Sequence, residues 1–176
     1  GSGLDTFSGT VGVTNELGGL DVNATNAGTG NIDFLNNIGS DSQPGVVGIT
    51  KIGGTSTNDI NLSGTLYSFN GATTITTASG QDIDIKAGSD TSFITSDDSI
   101  KFDSKVDLDN DSDFSVDTGS GTGDITITGA IIGDSAETVT LDAGAGTTTV
   151  GAIGSASQIG TVIIGSAQDG NIVIKG

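Results

Sequence analysis

One four-residue unit recurs along this chain and constrains its fold more than any other feature. It reads polar, large apolar, variable, large apolar, and it occurs as Asn31-Ile32-Asp33-Phe34, Asp59-Ile60-Asn61-Leu62 and Asp82-Ile83-Asp84-Ile85. It returns as Ser99-Ile100-Lys101-Phe102, Asp124-Ile125-Thr126-Ile127 and Asn171-Ile172-Val173-Ile174. Successive side chains of an extended strand point to opposite faces, so each unit puts two large apolar groups on one face. Related strands lie between the units: Thr74-Ile75-Thr76, Thr138-Val139-Thr140-Leu141, Thr147-Thr148-Thr149-Val150 and Thr161-Val162-Ile163-Ile164. Gly, Asn, Asp and Ser bound these bursts, as turn residues do. Helical spacing of apolar residues is missing throughout. The chain reads as all-β.

Two architectures accommodate short, closely spaced, β-branched strands. In a β-solenoid (parallel β-helix-like), each rung stacks on the last about 4.8 Å away, with Ile, Val, Leu and Phe filling the bore. At ~20–25 residues per rung the chain would make roughly seven to nine rungs. The alternative is a β-sandwich with Greek-key connections. Asn70-Gly71, between Leu66–Phe69 and Ala72–Thr76, is a type I′ hairpin signal and favours the sandwich locally. Against it stands the 4% aromatic content, since a two-sheet core about 10 Å thick draws on larger side chains. Recurrence of one small unit favours the solenoid. Residues 1–176 are expected to form one β-rich repeat domain, standing alone or as a segment of a longer protein. Residues 22–41 and 116–134 align as an imperfect internal repeat, and so do Gly9–Phe34 and Thr149–Ile174.

Composition excludes several function classes. The chain has no His and no Cys, which removes the histidine general base, the thiolate nucleophile and the usual zinc or haem ligands. It carries 5 basic against 22 acidic residues, a net charge of −17. Nucleic-acid binding is therefore not expected, because nothing replaces the counterions of a phosphate backbone. No run approaches the ~20 apolar residues of a membrane helix, so no membrane insertion is expected. The opening Gly1-Ser2-Gly3-Leu4-Asp5 shows neither a basic nor an apolar leader region.

Runs such as Gly121–Ala130 and Glu137–Val150 resemble repeats of the filamentous-haemagglutinin-like, β-strand-repeat adhesins of bacterial surfaces. The likeness is strongest over 113–176 and weaker over 20–90. It implies a secreted or surface-attached β-helical stalk whose work is reach, adhesion or assembly, with an extracellular or cell-surface location. The function expected is thus structural or adhesive: a stalk or fibre block joined to neighbouring repeats or to itself end to end. A cell-surface or glycan receptor is a possible further partner. The runner-up is a donor-strand-type filament or biofilm-matrix subunit with a sandwich fold. Further behind comes a polysaccharide-active β-helix enzyme, because sugar grooves lean on aromatic platforms and this chain has one Tyr and no Trp. No catalytic or organic-cofactor residues are assigned.

Two groups of candidate functional residues stand out. The first is Asp107-Leu108-Asp109-Asn110-Asp111-Ser112-Asp113, flanked by Asp103 and Asp117. Alternating carboxylates supply the oxygen ligands a hard cation needs, so Asp107, Asp109, Asp111 and Asp113 are the candidate ligands and Ca²⁺ the candidate ion. The loop is not an EF-hand: Ser112 stands where the turn glycine belongs, and no Glu closes it. The second group is the terminal strand, where Ile172, Val173 and Ile174 make both faces apolar. An uncovered edge strand presents unpaired backbone groups to another chain. The glycine loops around Gly28-Thr29-Gly30 and Gly119–Gly123 read as corners between strands, since they lack the order and following helix of a phosphate cradle. Asn23-Ala24-Thr25, Asn61-Leu62-Ser63 and Asn110-Asp111-Ser112 match the N-glycosylation pattern, as composition alone would produce.

Overall fold

The structure is a computed structural model that describes residues 4–22, 30–109, 111–155, 157–165 and 170–175. The Asn23–Thr25 triplet, Gly28, Thr29, Asn110 and Gly176 lie outside the described residues. No helix occurs among the described residues; the elements are seventeen short strands. They coil into a β-solenoid of about 7 turns, the architecture favoured from the sequence, and the sandwich alternative is set aside.

Each rung visits three faces in the same order. The first rung contains β1 (Asp5–Phe7) and β2 (Leu20–Val22), with Val11 and Leu17 bridging on the middle face. The second contains β3 (Ile32–Phe34) and β4 (Thr50–Gly53), with Ile38 and Val46 as the middle-face bridges. The third and fourth are complete: β5 (Ile60–Leu62), β6 (Leu66–Phe69), β7 (Thr73–Thr76), then β8 (Asp82–Ile85), β9 (Thr91–Thr95), β10 (Ile100–Phe102). The fifth runs through β11 (Lys105–Leu108), β12 (Phe114–Asp117) and the start of β13 (Ile125–Gly133). The sixth takes the end of β13, β14 (Thr138–Asp142) and the start of β15 (Thr148–Ile153). The last takes the end of β15, β16 (Thr161–Ile164) and β17 (Ile172–Ile174). Every pairing between these strands is parallel. Because β13 and β15 bend through a corner, the first and third faces join into one 12-stranded sheet beside a 5-stranded one.

Parallel register turns the recurring unit into interior columns. Ile32, Ile60, Ile83, Val106 and Ile131 stack one over another on the first face, all fully buried. Phe34, Leu62, Ile85 and Leu108 form the second inward column of that face. On the third face, Val22, Ile52, Ile75, Phe102, Ile127, Val150 and Ile174 align. Tyr67 stacks on Phe93 with ring centroids 4.8 Å apart, and Phe93 meets Phe102 and Phe114 edge-on at 5.1 and 5.6 Å. These few aromatics fill the middle of the bore, so a low aromatic content is enough.

Two expectations change on inspection of the corners. Leu66–Phe69 and Thr73–Thr76 belong to different faces, so Asn70-Gly71 turns a corner and makes no hairpin. The glycine is needed for stacking: a Cβ at Gly71 would lie 2.4 Å from the Gly48 carbonyl oxygen. Gly48 rests in the same way on Gly18, where a Cβ would lie 2.0 Å from the carbonyl oxygen. The structural period also differs from the sequence alignment of 22–41 with 116–134. That alignment superposes Ile32 on Ile125, yet Ile32 pairs along the first face and Ile125 along the third. Rung length varies because corners vary: Leu20 pairs with Thr50, 30 residues on, while Ile131 pairs with Ile153, 22 residues on.

Candidate functional site: two carboxylate groups and the open ends

In a solenoid, residues about 23 apart in the chain stack one rung over the next, so carboxylates distant in sequence converge. Asp33, Asn61, Asp84 and Asp107 form one outward column on the first face. Like charges in adjacent strands repel, and this column is relieved from within and from beside. The Asn61 amide donates to Asp33 Oδ1 at 2.6 Å. Lys86 Nζ donates to Asn61 Oδ1 at 2.6 Å and pairs with Asp84 at 2.9 Å and Asp109 at 3.7 Å. Lys105 Nζ pairs with Asp82 at 2.7 Å and Asp107 at 3.2 Å. Oxygens of Asp82, Asp84 and Asp107 lie within 4.8 Å of one another, but two ammonium groups already serve them.

Burial raises the Asp84 carboxyl above its ordinary range, against the hydrogen bond and charge of Lys86. Burial lowers Lys86 and Lys105, but their carboxylate partners outweigh it and hold both ammonium groups above the usual value. A raised lysine contributes stability below its unfolded value, about 10.4, and loses it as pH climbs through the folded value. Burial also pushes the Tyr67 phenol up, against the Gly64 N–H it accepts, so its ionisation destabilises in the same window. In a Tyr67→Phe background, the melting temperature should therefore fall above pH 10.4, and replacing Lys86 and Lys105 by Met should flatten that fall. Equal slopes with and without the lysines would contradict the ladder's role.

The second group sits where the first face turns into the middle face. Oxygens of Asp111, Asp134 and Glu137 lie within 4.8 Å of one another. Asp111 holds a left-handed backbone, φ 57°, and its Oδ1 accepts from the Ser135 hydroxyl. Glu137 Oε1 accepts from the Asp134 N–H at 3.0 Å, the Ser135 N–H at 2.7 Å and Ser135 Oγ at 3.0 Å. Both groups are sets of carboxylates that could hold a metal ion.

The four acidic residues expected to act together are thus distributed. Asp107 joins the first group and Asp111 the second, while Asp109 lies by Lys86 and Asp113 accepts the Thr138 N–H at 2.6 Å. Asp113 is one of a set: Asp59, Asp97 and Asp124 accept the N–H groups of Asp82, Gly121 and Thr147 at 3.0, 2.6 and 2.7 Å. A corner aspartate therefore caps the backbone one rung ahead, which gives these four of the 20 aspartates a structural role without any ligand. Sequence reasoning missed Glu137. Its signal was available: one of only two glutamates beside 20 aspartates, four residues after a glycine at an inward strand position.

The terminal columns are uncovered. Ile172, Val173 and Ile174 are 51%, 41% and 56% exposed, although Ile127 and Val150 of the same column as Ile174 are fully buried. Beside them opens a cavity of about 840 Å³ lined by Ile153, Ile159, Val162 and Ile174 among others. At the other end Leu4, Val13 and Leu17 are exposed. No helix among the described residues is long and apolar enough to cross a membrane. No protein-family model, no curated protein and no solved structure matches the chain.

Proposed function

We propose that the chain is a structural or adhesive rod of an extracellular or cell-surface protein, a stalk or fibre block that joins neighbours end to end. The observation that carries this reading is the exposure of Ile172 and Ile174 in columns that are buried elsewhere, with the outward Val173 exposed between them. Edge strands with unpaired backbone groups are templates for strand addition, and β17 pairs only with β15 among the described strands. The lateral surface, in a chain of net charge −17, resists sideways clumping. Growth is thus directed along the rod axis, onto a neighbouring repeat or a second copy. Parallel strands favour a head-to-tail contact, which does not close and so extends.

The extracellular setting and any surface or glycan receptor rest on the resemblance of residues 113–176 to repeat adhesins. A matrix or filament subunit is the second reading, favoured by the same uncovered ends. Calcium is the ion proposed for the acidic groups, since its flexible shell of six to eight oxygens suits carboxylates at a surface.

Replacing Ile172 and Ile174 by Asp tests the assembly. Sedimentation should show native chains growing with concentration in screening salt, and the double variant should stay monomeric with unchanged β-structure. A native chain that remains a monomer would overturn the reading.

A further inference from the structure

Along the third face one backbone hydrogen bond repeats at every step of the stack. It begins with the Leu20 N–H donating to the Ile49 carbonyl oxygen at 3.1 Å and ends with Thr148 N–H donating to Asn171 at 2.8 Å. In each case the acceptor is the residue just before the donor's strand partner. A residue in a parallel ladder turns its N–H and C=O to one neighbour, and the next residue turns both to the other. Ile172 continues the column of Leu20 and Thr148, so its backbone groups and those of Ile174 face the open edge. At the opposite end Leu20 bonds toward β4, which leaves the backbone groups of Gly19 and Asp21 facing outward. Among the described strands β17 pairs only with β15 and β2 only with β4.

These two edges complement each other in parallel register. With Ile172 beside Leu20 of a second copy, the Ile172 N–H meets the Gly19 carbonyl and the Ile172 carbonyl meets the Asp21 N–H. Ile172 and Ile174 then stack on Leu20 and Val22, apolar residues that already pack against the core. The same register sets Phe7 over Ser155, which lines the cavity at the open end; within its own chain that ring stacks only on Phe34. Charge favours unlike ends. Residues 1–22 carry Asp5, Glu16 and Asp21 and no lysine, whereas residues 151–176 carry Asp169 and Lys175. Two opening rungs would set carboxylates against carboxylates, while an opening rung meets a balanced closing one. Lys175, outward like Val173, falls diagonal to Asp21 of the second copy, within reach of a long side chain.

We infer that the open end at β17 is occupied by the first rung of a second copy of this chain, with β17 on β2 in the register Ile172 to Leu20, Val173 to Asp21 and Ile174 to Val22. This rests on the end-directed assembly proposed above and fixes its partner and its register. Asp5 restrains the joint. It heads the inward column of Ile32, Ile60, Ile83, Val106, Ile131 and Ile153, so in the assembly it lies over Ile153. An inward-pointing charge on an edge strand opposes pairing, and the contact between copies is therefore weaker than the contact between rungs.

Single cysteines test the register in a chain that has none of its own. Asp21 and Val173 are exposed and stand at opposite ends of the stack, so a bond between them joins two copies. Directly opposed residues of neighbouring strands lie about 4.8 Å apart, within the Cα separation that a disulfide spans. Equal amounts of Asp21→Cys and Val173→Cys chains are mixed and oxidised with diamide at a concentration where the native chain sediments as an assembly, with circular dichroism checking both folds. The mixed disulfide dimer should exceed either homodimer at least tenfold. Asp5→Ile should assemble at a several-fold lower concentration. If the native chain assembles but Val173→Cys homodimer dominates, no link forms or Asp5→Ile changes nothing, the register fails and end-directed assembly survives. If the native chain stays monomeric, both fail.

Discussion

Phe93→Ala is expected to remove most of the chain's stability. Phe93 is fully buried, and it alone stacks on Tyr67 while meeting both Phe102 and Phe114 edge-on. It therefore ties the middle face to the third across the bore. Truncating a buried Phe to Ala costs about 3–5 kcal/mol, and lost aromatic geometry adds about 0.5–1.5 kcal/mol per pair. Against a total of about 5–15 kcal/mol for a domain, that leaves little. Phe7→Ala is the control, since Phe7 is half-buried on the first rung and stacks only on Phe34 at 4.6 Å. Denaturant midpoints should drop several-fold more for Phe93→Ala. Equal drops would mean that the bore is not packed around Phe93.

The second large effect separates a solenoid from any other all-β arrangement. Ile83 pairs with Val106 one rung on, so excising residues 83–105 removes one turn and leaves every interior column in phase. Excising only 83–94 removes about half a turn and moves β10 into the corner between the first and middle faces, so that the strands after it meet the wrong partners. Stability of stacked repeats is a sum of repeat and neighbour terms. The whole-turn deletion should thus fold, shorter by about 4.8 Å, with a modestly lower melting temperature. The half-turn deletion should lose parallel stacking altogether and show no cooperative transition. Two variants that behaved alike would contradict the rung register.

The strands were legible in the sequence, whereas their assignment to faces was not. All six recurring units pair as strands, yet Ile32, Ile60 and Ile83 line the first face while Ile100, Ile125 and Ile172 line the third. The unit reports only that one face of a strand is buried. Which side of the coil it joins depends on corner lengths, and glycine corners such as Gly48 over Gly18 carry no period of their own. The same cause scattered the acidic run: Asp107 and Asp111 are close in sequence, but Asp107 meets Asp84 and Asp111 meets Asp134, each 23 residues away. Side-chain chemistry was readable residue by residue. The proximity that makes a site was set by rung length, which only the folded coil fixes.

The end-directed rod is tested most directly by imaging the purified chain in negative stain across a range of concentrations, with salt present to screen its acidic surface. An isolated unit of seven rungs should measure about 34 Å along its axis at 4.8 Å per rung. The expected result is particles of constant width whose length increases with concentration. Single units of constant length at every concentration would contradict it.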